Sequence, residues 1–222
     1  MMRIRYAYFL SILILVLGAC DSNSSLEWQE GDILFQDGDC GDFCDAIRKV
    51  TSGYDDRDFS HNGILAKTED EWYVLEAISK GVSKTPLQDF LYRHVDEAGN
   101  PKIIVGRLKA PHQALIPDAL IHASSLIGKP YDAYFDLEND AYYCSELIHL
   151  SLQKANRGNP VFTLHPMTFK DPDSQETFGI WVSYFEKLET EIPENQPGLN
   201  PGGMSLDPAI DIIYDFTKQW RR

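Results

Sequence analysis

Two apolar segments separated by five polar residues constrain this chain most. Ser60-His61-Asn62-Gly63-Ile64-Leu65-Ala66 and Trp72-Tyr73-Val74-Leu75-Glu76-Ala77-Ile78 flank the polar loop Lys67-Thr68-Glu69-Asp70 and Glu71. β-branched, aromatic and aliphatic residues around a short polar loop predict a β-hairpin. Strand side chains alternate faces, so the register decides which residues meet. Pairing Ala66 with Glu71 sets His61 opposite Glu76, while pairing Ala66 with Trp72 puts the two on opposite faces. Glu76 interrupts an apolar run, where a lone carboxylate is costly unless paired. A strand-edge Glu facing water is the other reading of that position.

The remaining elements follow from periodicity. Gly31-Asp32-Ile33-Leu34-Phe35-Gln36 reads as a turn into a strand. Phe43 to Thr51 has helical spacing, and Gly81 to Lys84 reads as the second hairpin strand continued past a bend. Pro86 to His94 reads as a short helix opened by proline, and Lys102 to Leu108 as a third strand. Leu115 to Ile127 is an amphipathic helix closed by Gly128. A loop begins at Pro130-Tyr131-Asp132, and a further helix spans Cys144 to Ala155. Ile180 to Leu188 and Pro208 to Trp220 are short helical or strand pieces, with a Pro/Gly loop from Pro193 to Gly203 between them. Strands and helices in this mixed order predict an α+β domain.

The N-terminus reads as an export signal. Arg3 and Arg5 precede an apolar run from Tyr8 to Leu17, too short to span a bilayer comfortably, and Leu17-Gly18-Ala19-Cys20 follows. A cut before Cys20 resembles the bacterial lipobox, with Cys20 as the lipidated first residue. An ordinary signal peptide or an uncleaved anchor are the alternatives. The predicted layout is a signal at 1–19, a polar tether at 20–27 and one domain at 28–222. Hydrophobic residues make up 43% of the 222, enough for a core. The formal net charge is -14, and removing residues 1–19 takes away two arginines and no acid. With no Lys/Arg-rich run, nucleic acid is not an expected partner. The expected membrane contact is the lipid anchor, and two or three acyl chains would hold it stably.

Of the four cysteines, Cys40 and Cys44 are close enough in sequence for a local disulfide in an exported protein. Cys144 is then the odd thiol. It falls where the loop gives way to the helix in Tyr142-Tyr143-Cys144-Ser145-Glu146-Leu147-Ile148. A helix N-terminus favours thiolate, the nucleophilic form. An inert buried thiol would occupy the same place.

A nucleophile needs a base, and six histidines are available. His61 lies on the hairpin, where Glu76 could fix its tautomer. His149 is five residues beyond Cys144, which on a helix turns it about 140° away. His94, His112, His122 and His165 read as surface or capping residues. Cys40, Cys44 and His61 lack a second pair at zinc spacing, so no metal is expected. Asp32, Asp37, Asp39 and Asp42 lack the spacing of a calcium loop and read as a solvated acidic turn. No phosphate loop or nucleophile elbow is present, and no cofactor is expected.

Five segments in order resemble the YiiX/YaeF-like permuted papain-fold amidases of the NlpC/P60 superfamily. They are Gly31-Asp32-Ile33-Leu34-Phe35, Phe59-Ser60-His61-Asn62-Gly63-Ile64, Val74-Leu75-Glu76-Ala77, Gly128-Lys129-Pro130-Tyr131-Asp132 and Tyr142-Tyr143-Cys144-Ser145-Glu146-Leu147. The resemblance runs from about residue 29 to the loop near 203. In papain-like enzymes the Cys helix usually precedes the His strand, and here the order is reversed, as in the permuted branch. The resemblance implies a small antiparallel sheet or partial barrel packed against the Cys helix. It implies Cys144 as nucleophile, His61 as base and Glu76 as the residue orienting His61. The glutamate departs from the Asn or His common in the wider superfamily. The backbone N–H of Cys144 would be one oxyanion donor. Tyr131, Tyr142 and Tyr143 are candidates to line the cleft, though ordinary packing accounts for them equally well.

Three functions compete. The first is an amidase or peptidase acting on envelope amide or peptide bonds, with a peptide or acyl-amide substrate. The second is acyl transfer or thioester hydrolysis on lipids, chemistry found among relatives of the superfamily. The third is a binding protein on a degenerate scaffold, against which the intact Cys, His and Glu set argues.

Overall fold

The computed structural model describes residues 26–218. The signal at 1–19, the lipidation site Cys20 and nearly all of the 20–27 tether lie outside the described residues. The elements in order are β1 (Ile33–Gln36), α1 (Asp42–Val50), β2 (His61–Lys67), β3 (Trp72–Ile78), β4 (Gly81–Pro86), α2 (Leu87–Leu91) and β5 (Ile103–Leu108). They continue with α3 (Ala110–Gln113), α4 (Ile116–Ser125), α5 (Cys144–Ala155), β6 (His165–Pro166), α6 (Gly179–Lys187), β7 (Pro197–Gly198), α7 (Pro201–Ser205) and β8 (Ile210–Asp215).

Six strands form one antiparallel sheet in the order β4-β3-β2-β1-β5-β8. It is an α+β fold, an open sheet with α5 packed across β2 and β3. The central strand β1 is buried at all four positions because both faces of the sheet are covered. On one face Ile33, Phe35, Ile64 and Leu75 meet Leu147, Ile148 and Leu152 of α5 and Ala119 and Ala123 of α4. On the other, Leu34, Leu65 and Val74 meet Leu87, Phe90 and Leu91 of α2. A third cluster joins α1 and α6 through Ala46, Trp181 and Phe185.

The hairpin adopts neither register read from the sequence. Lys67 pairs with Trp72, Ala66 with Tyr73 and Ile64 with Leu75. The four-residue turn Thr68–Glu71 closes through the Thr68 N–H donating to the Glu71 carbonyl at 2.9 Å, which pushes the pairing out by two residues. Both registers that differ by two keep the same face together. His61 and Glu76 therefore share a face, as diagonal rather than opposite neighbours. Gly63 makes this possible, since a Cβ there would collide with Val74 and lie 3.3 Å from the Glu76 Cβ.

Two other expectations change. The segment from Gly81 does not continue β3. Ile78 pairs with Gly81 across a tight turn, and Gly81 takes φ +98°, so β4 folds back as an antiparallel neighbour. Asp32 is not a solvated acid. It is fully buried, and Arg107 donates to both its oxygens, at 2.7 Å from Nε and 2.9 Å from Nη2. Asp37 pairs with Arg48 and Lys102, so the four aspartates do not gather.

Candidate active site

His61 opens β2 and Glu76 lies near the end of β3, with its carboxylate fully buried. The His61 Nε2 stands 2.6 Å from the Glu76 Oε2. Phe90 of α2 packs its ring 5.9 Å from the imidazole and restrains its plane. Glu76 has further partners. Arg93, two residues past α2, donates from Nη1 to Oε2 at 3.0 Å and from Nη2 to Oε1 at 2.6 Å. The Thr85 hydroxyl of β4 donates to Oε1 at 2.5 Å. Burial pushes this carboxyl up, but His61, Arg93 and Thr85 outweigh it and hold it down at about 2. Arg93 and Thr85 were not legible in the sequence. No periodicity marks a cation that folds back from beyond a short helix.

Cys144 is the first residue of α5, and its sulfur couples to His61 by hydrogen bonding and charge. Nε2 is taken by Glu76, so Nδ1 is the nitrogen left for the sulfur. Tyr143, at φ -92° and ψ 172°, is extended and turns the chain sharply into the helix. Burial alone would raise the Cys144 thiol. Hydrogen bonding and charge from His61, the Asn62 backbone N–H and the Ser145 hydroxyl together bring it below its ordinary value. Burial likewise opposes the imidazolium, but Cys144 and Glu76 raise His61 from 6.5 to about 9. The shifts of Cys144, His61 and Glu76 all run toward the charged forms, the direction that nucleophilic acyl chemistry requires.

Both His61 and Cys144 line a cleft of about 650 Å³, within the usual range for small-molecule sites. Tyr131 and Tyr143 line it too. Tyr142 does not. It lines a separate pocket with His122 and Leu150, because successive residues of the extended 142–143 segment point opposite ways. The far wall is aromatic, with Phe43, Phe135, Phe169, Trp181 and Tyr184. Cys40 and Cys44 are joined as a disulfide, with Cα atoms 5.2 Å apart, at the start of α1 on the cleft wall. His94, half-buried, and His165, an exposed residue as expected, also line the cleft, a place the sequence did not indicate. His149 is buried in α5 and absent from the cleft lining.

The pattern of the permuted papain-like amidase enzyme family (YaeF/YiiX, C92) matches residues 27–214. The chain is 30% identical over 209 residues to the uncharacterized protein YiiX of Escherichia coli (strain K12), covering 93% of this chain and 96% of that one. It is also similar to a crystal structure described as metalloprotein YiiX from Escherichia coli O157:H7. The TM-score is 0.66 at 26% identity, over 84% of this chain and 97% of that one. The residues here do not fit a metal at the site. Among the described residues no three His, Cys, Asp or Glu side chains gather to hold one. Glu76 already spends both oxygens on Arg93, Thr85 and His61, with a guanidinium where a cation would sit. With its sheet, its reversed order of His strand and Cys helix, and the match over residues 27–214, the chain belongs to the permuted papain-like amidase family.

Proposed function

We propose that the chain is a cysteine amidase or peptidase in which Cys144, His61 and Glu76 act as nucleophile, base and orienting carboxylate. The observation that carries this reading is the 2.6 Å contact from His61 Nε2 to Glu76, with His61 and Cys144 lining the same cleft. The Cys144 thiolate attacks the amide carbonyl, and the oxyanion gathers at the backbone N–H of Cys144. The His61 imidazolium then gives its proton to the departing amine, leaving a thioester on Cys144. His61, now neutral, takes a proton from water as the water attacks the thioester, which releases the acid and restores the thiolate. Glu76, fixed by Arg93 and Thr85, holds the ring and balances its charge.

The substrate class is an amide or peptide of the cell envelope. That assignment draws on the export signal at 1–19 and the lipobox cysteine at position 20, which would tether the 28–222 domain to the membrane. A second reading, acyl transfer or thioester hydrolysis on lipids, is favoured by one observation. The aromatic wall of Phe43, Phe135, Phe169 and Trp181 offers an apolar group more than it offers a charged peptide. Envelope extracts treated with the wild type and with Cys144→Ala separate the two. Peptide or amide products that appear only with the wild type support the amidase. Release of long-chain acyl groups without any amide cleavage would replace it with the second reading. No product difference between the two proteins would defeat both.

A further inference from the structure

Two fully buried glutamates flank the site, Glu76 and Glu146. Glu76 has an arginine, a hydroxyl and the imidazole as partners. Glu146, on the first turn of α5, has none of these. Its Oε2 accepts the Tyr143 backbone N–H at 3.0 Å. Its Oε1 has no partner among the described residues, although it is shielded from water. No lysine or arginine pairs with it among the described residues, and the charged groups facing it are acidic. From the loop before α5 these are Asp132, itself fully buried, and Asp136. From α5 it is the Cys144 sulfur. Tyr142 and Tyr143 face it as neutral phenols raised by burial, and burial pushes His149, one turn on, toward its neutral form.

A buried carboxylate with one hydrogen bond, no cation and three anions around it is not a stable species, whereas the carboxylic acid is. Burial, Asp132, Asp136 and the Cys144 sulfur together raise this group to about 9 against the Tyr143 N–H. Opposite charge states on two buried carboxyls, one bonded to His61 and one holding the start of α5, are a sign of divided roles. We propose that Glu146 is a positioning residue that works as a neutral carboxylic acid, fixing the Tyr142–Tyr143 peptide just before Cys144 at the helix start while keeping a further anion away from the thiolate. This rests on Cys144 being the nucleophile. Glu146 does not line the cleft, so it acts through the backbone it holds.

The test is the pH dependence of folding, which does not depend on activity. An unfolded glutamate releases its proton near 4.5, while folded Glu146 keeps it to about 9. Between these values this one group lowers the folding constant about tenfold per pH unit. Glu146→Gln has the shape and hydrogen bonding of the neutral acid and no proton to lose. From about pH 5.5 to about pH 7.5, its folding constant in urea should therefore gain about 100-fold on the wild type. Carboxyl ¹³C NMR of the wild type should show one glutamate still protonated at neutral pH, lost in Glu146→Gln. Equal pH dependence in both proteins, or no such resonance, would overturn the neutral acid. Alkylation of Cys144 by iodoacetamide tests the positioning. Glu146→Gln should stay within about threefold of wild type, while Glu146→Leu, which cannot accept the Tyr143 N–H, should lose about tenfold or more. A folded Glu146→Leu that alkylates at the wild-type rate would overturn the positioning role. Should wild-type Cys144 fail to alkylate while the proton linkage persists, the nucleophile reading fails and the neutral acid stands.

Discussion

Replacing Glu76 by glutamine tests how the imidazolium is held. His61 rises from 6.5 to about 9, worth about 3 kcal/mol in favour of its charged form. Burial opposes that rise, so the favourable interactions exceed it. Cys144 contributes more than Glu76. Losing the charge of Glu76 from a 2.6 Å hydrogen bond should cost the imidazolium about one pH unit, or about tenfold. The sign follows from the raised value. The contribution of His61 to stability is complete below 6.5 and is lost as pH rises through about 9. In Glu76→Gln the loss should set in about one pH unit lower. The assay follows the His61 ring by NMR across pH and alkylates Cys144 with iodoacetamide on the same samples. The peptide bearing Cys144 is read by mass spectrometry. Expected are a His61 transition lowered by about one pH unit and neutral-pH alkylation slowed about tenfold. A transition still at about 9 would show that Cys144 alone holds the imidazolium, and the orienting role of Glu76 would be wrong.

Removing the cation tests the other side of the carboxylate. Arg93→Met leaves Glu76 buried without its bidentate partner and should cost ~3–5 kcal/mol in urea unfolding. Gly63→Ala should destabilise by ~1–3 kcal/mol, because the added Cβ meets Val74 and crowds Glu76, and Cys144 alkylation should slow with it. Acid should act through Glu76. Its contribution is full above 4.5 and lost as pH falls through about 2, so unfolding at low pH should accompany loss of the His61 contact. Reducing the Cys40–Cys44 bond opens a very short loop and should lower stability by only ~2 kcal/mol, measured with and without a phosphine.

What the sequence carried was local. Alternation and apolar runs placed the strands at Ile33–Gln36, His61–Lys67, Trp72–Ile78 and Ile103–Leu108 within a residue or two. Helical spacing and a terminal glycine placed Ile116–Ser125 and Cys144–Ala155. A shared face for His61 and Glu76 was one of two readings the sequence left open, since parity decides it. The register was not legible, because it is set by how Thr68–Glu71 closes. Arg93 and Thr85 reach Glu76 from a loop and from a neighbouring strand, contacts that no period encodes. The reversal at Gly81 was missed because Ser79 and Lys80 carry no strong turn signal, and only Gly81 supplies the positive φ. Tyr142 was misplaced because adjacent tyrosines in an extended segment cannot both face one cleft.

The central claim is that Cys144 forms a covalent acyl intermediate with His61 as its base. The most direct measurement is to mix the protein with an activated acyl ester, quench it in acid within a turnover and map the adduct by mass spectrometry. Expected is one acyl group on Cys144, absent in Cys144→Ala and reduced at least about a hundredfold in rate in His61→Ala. An adduct elsewhere, none at all, or one on Cys144 that forms as fast without His61 would contradict the account.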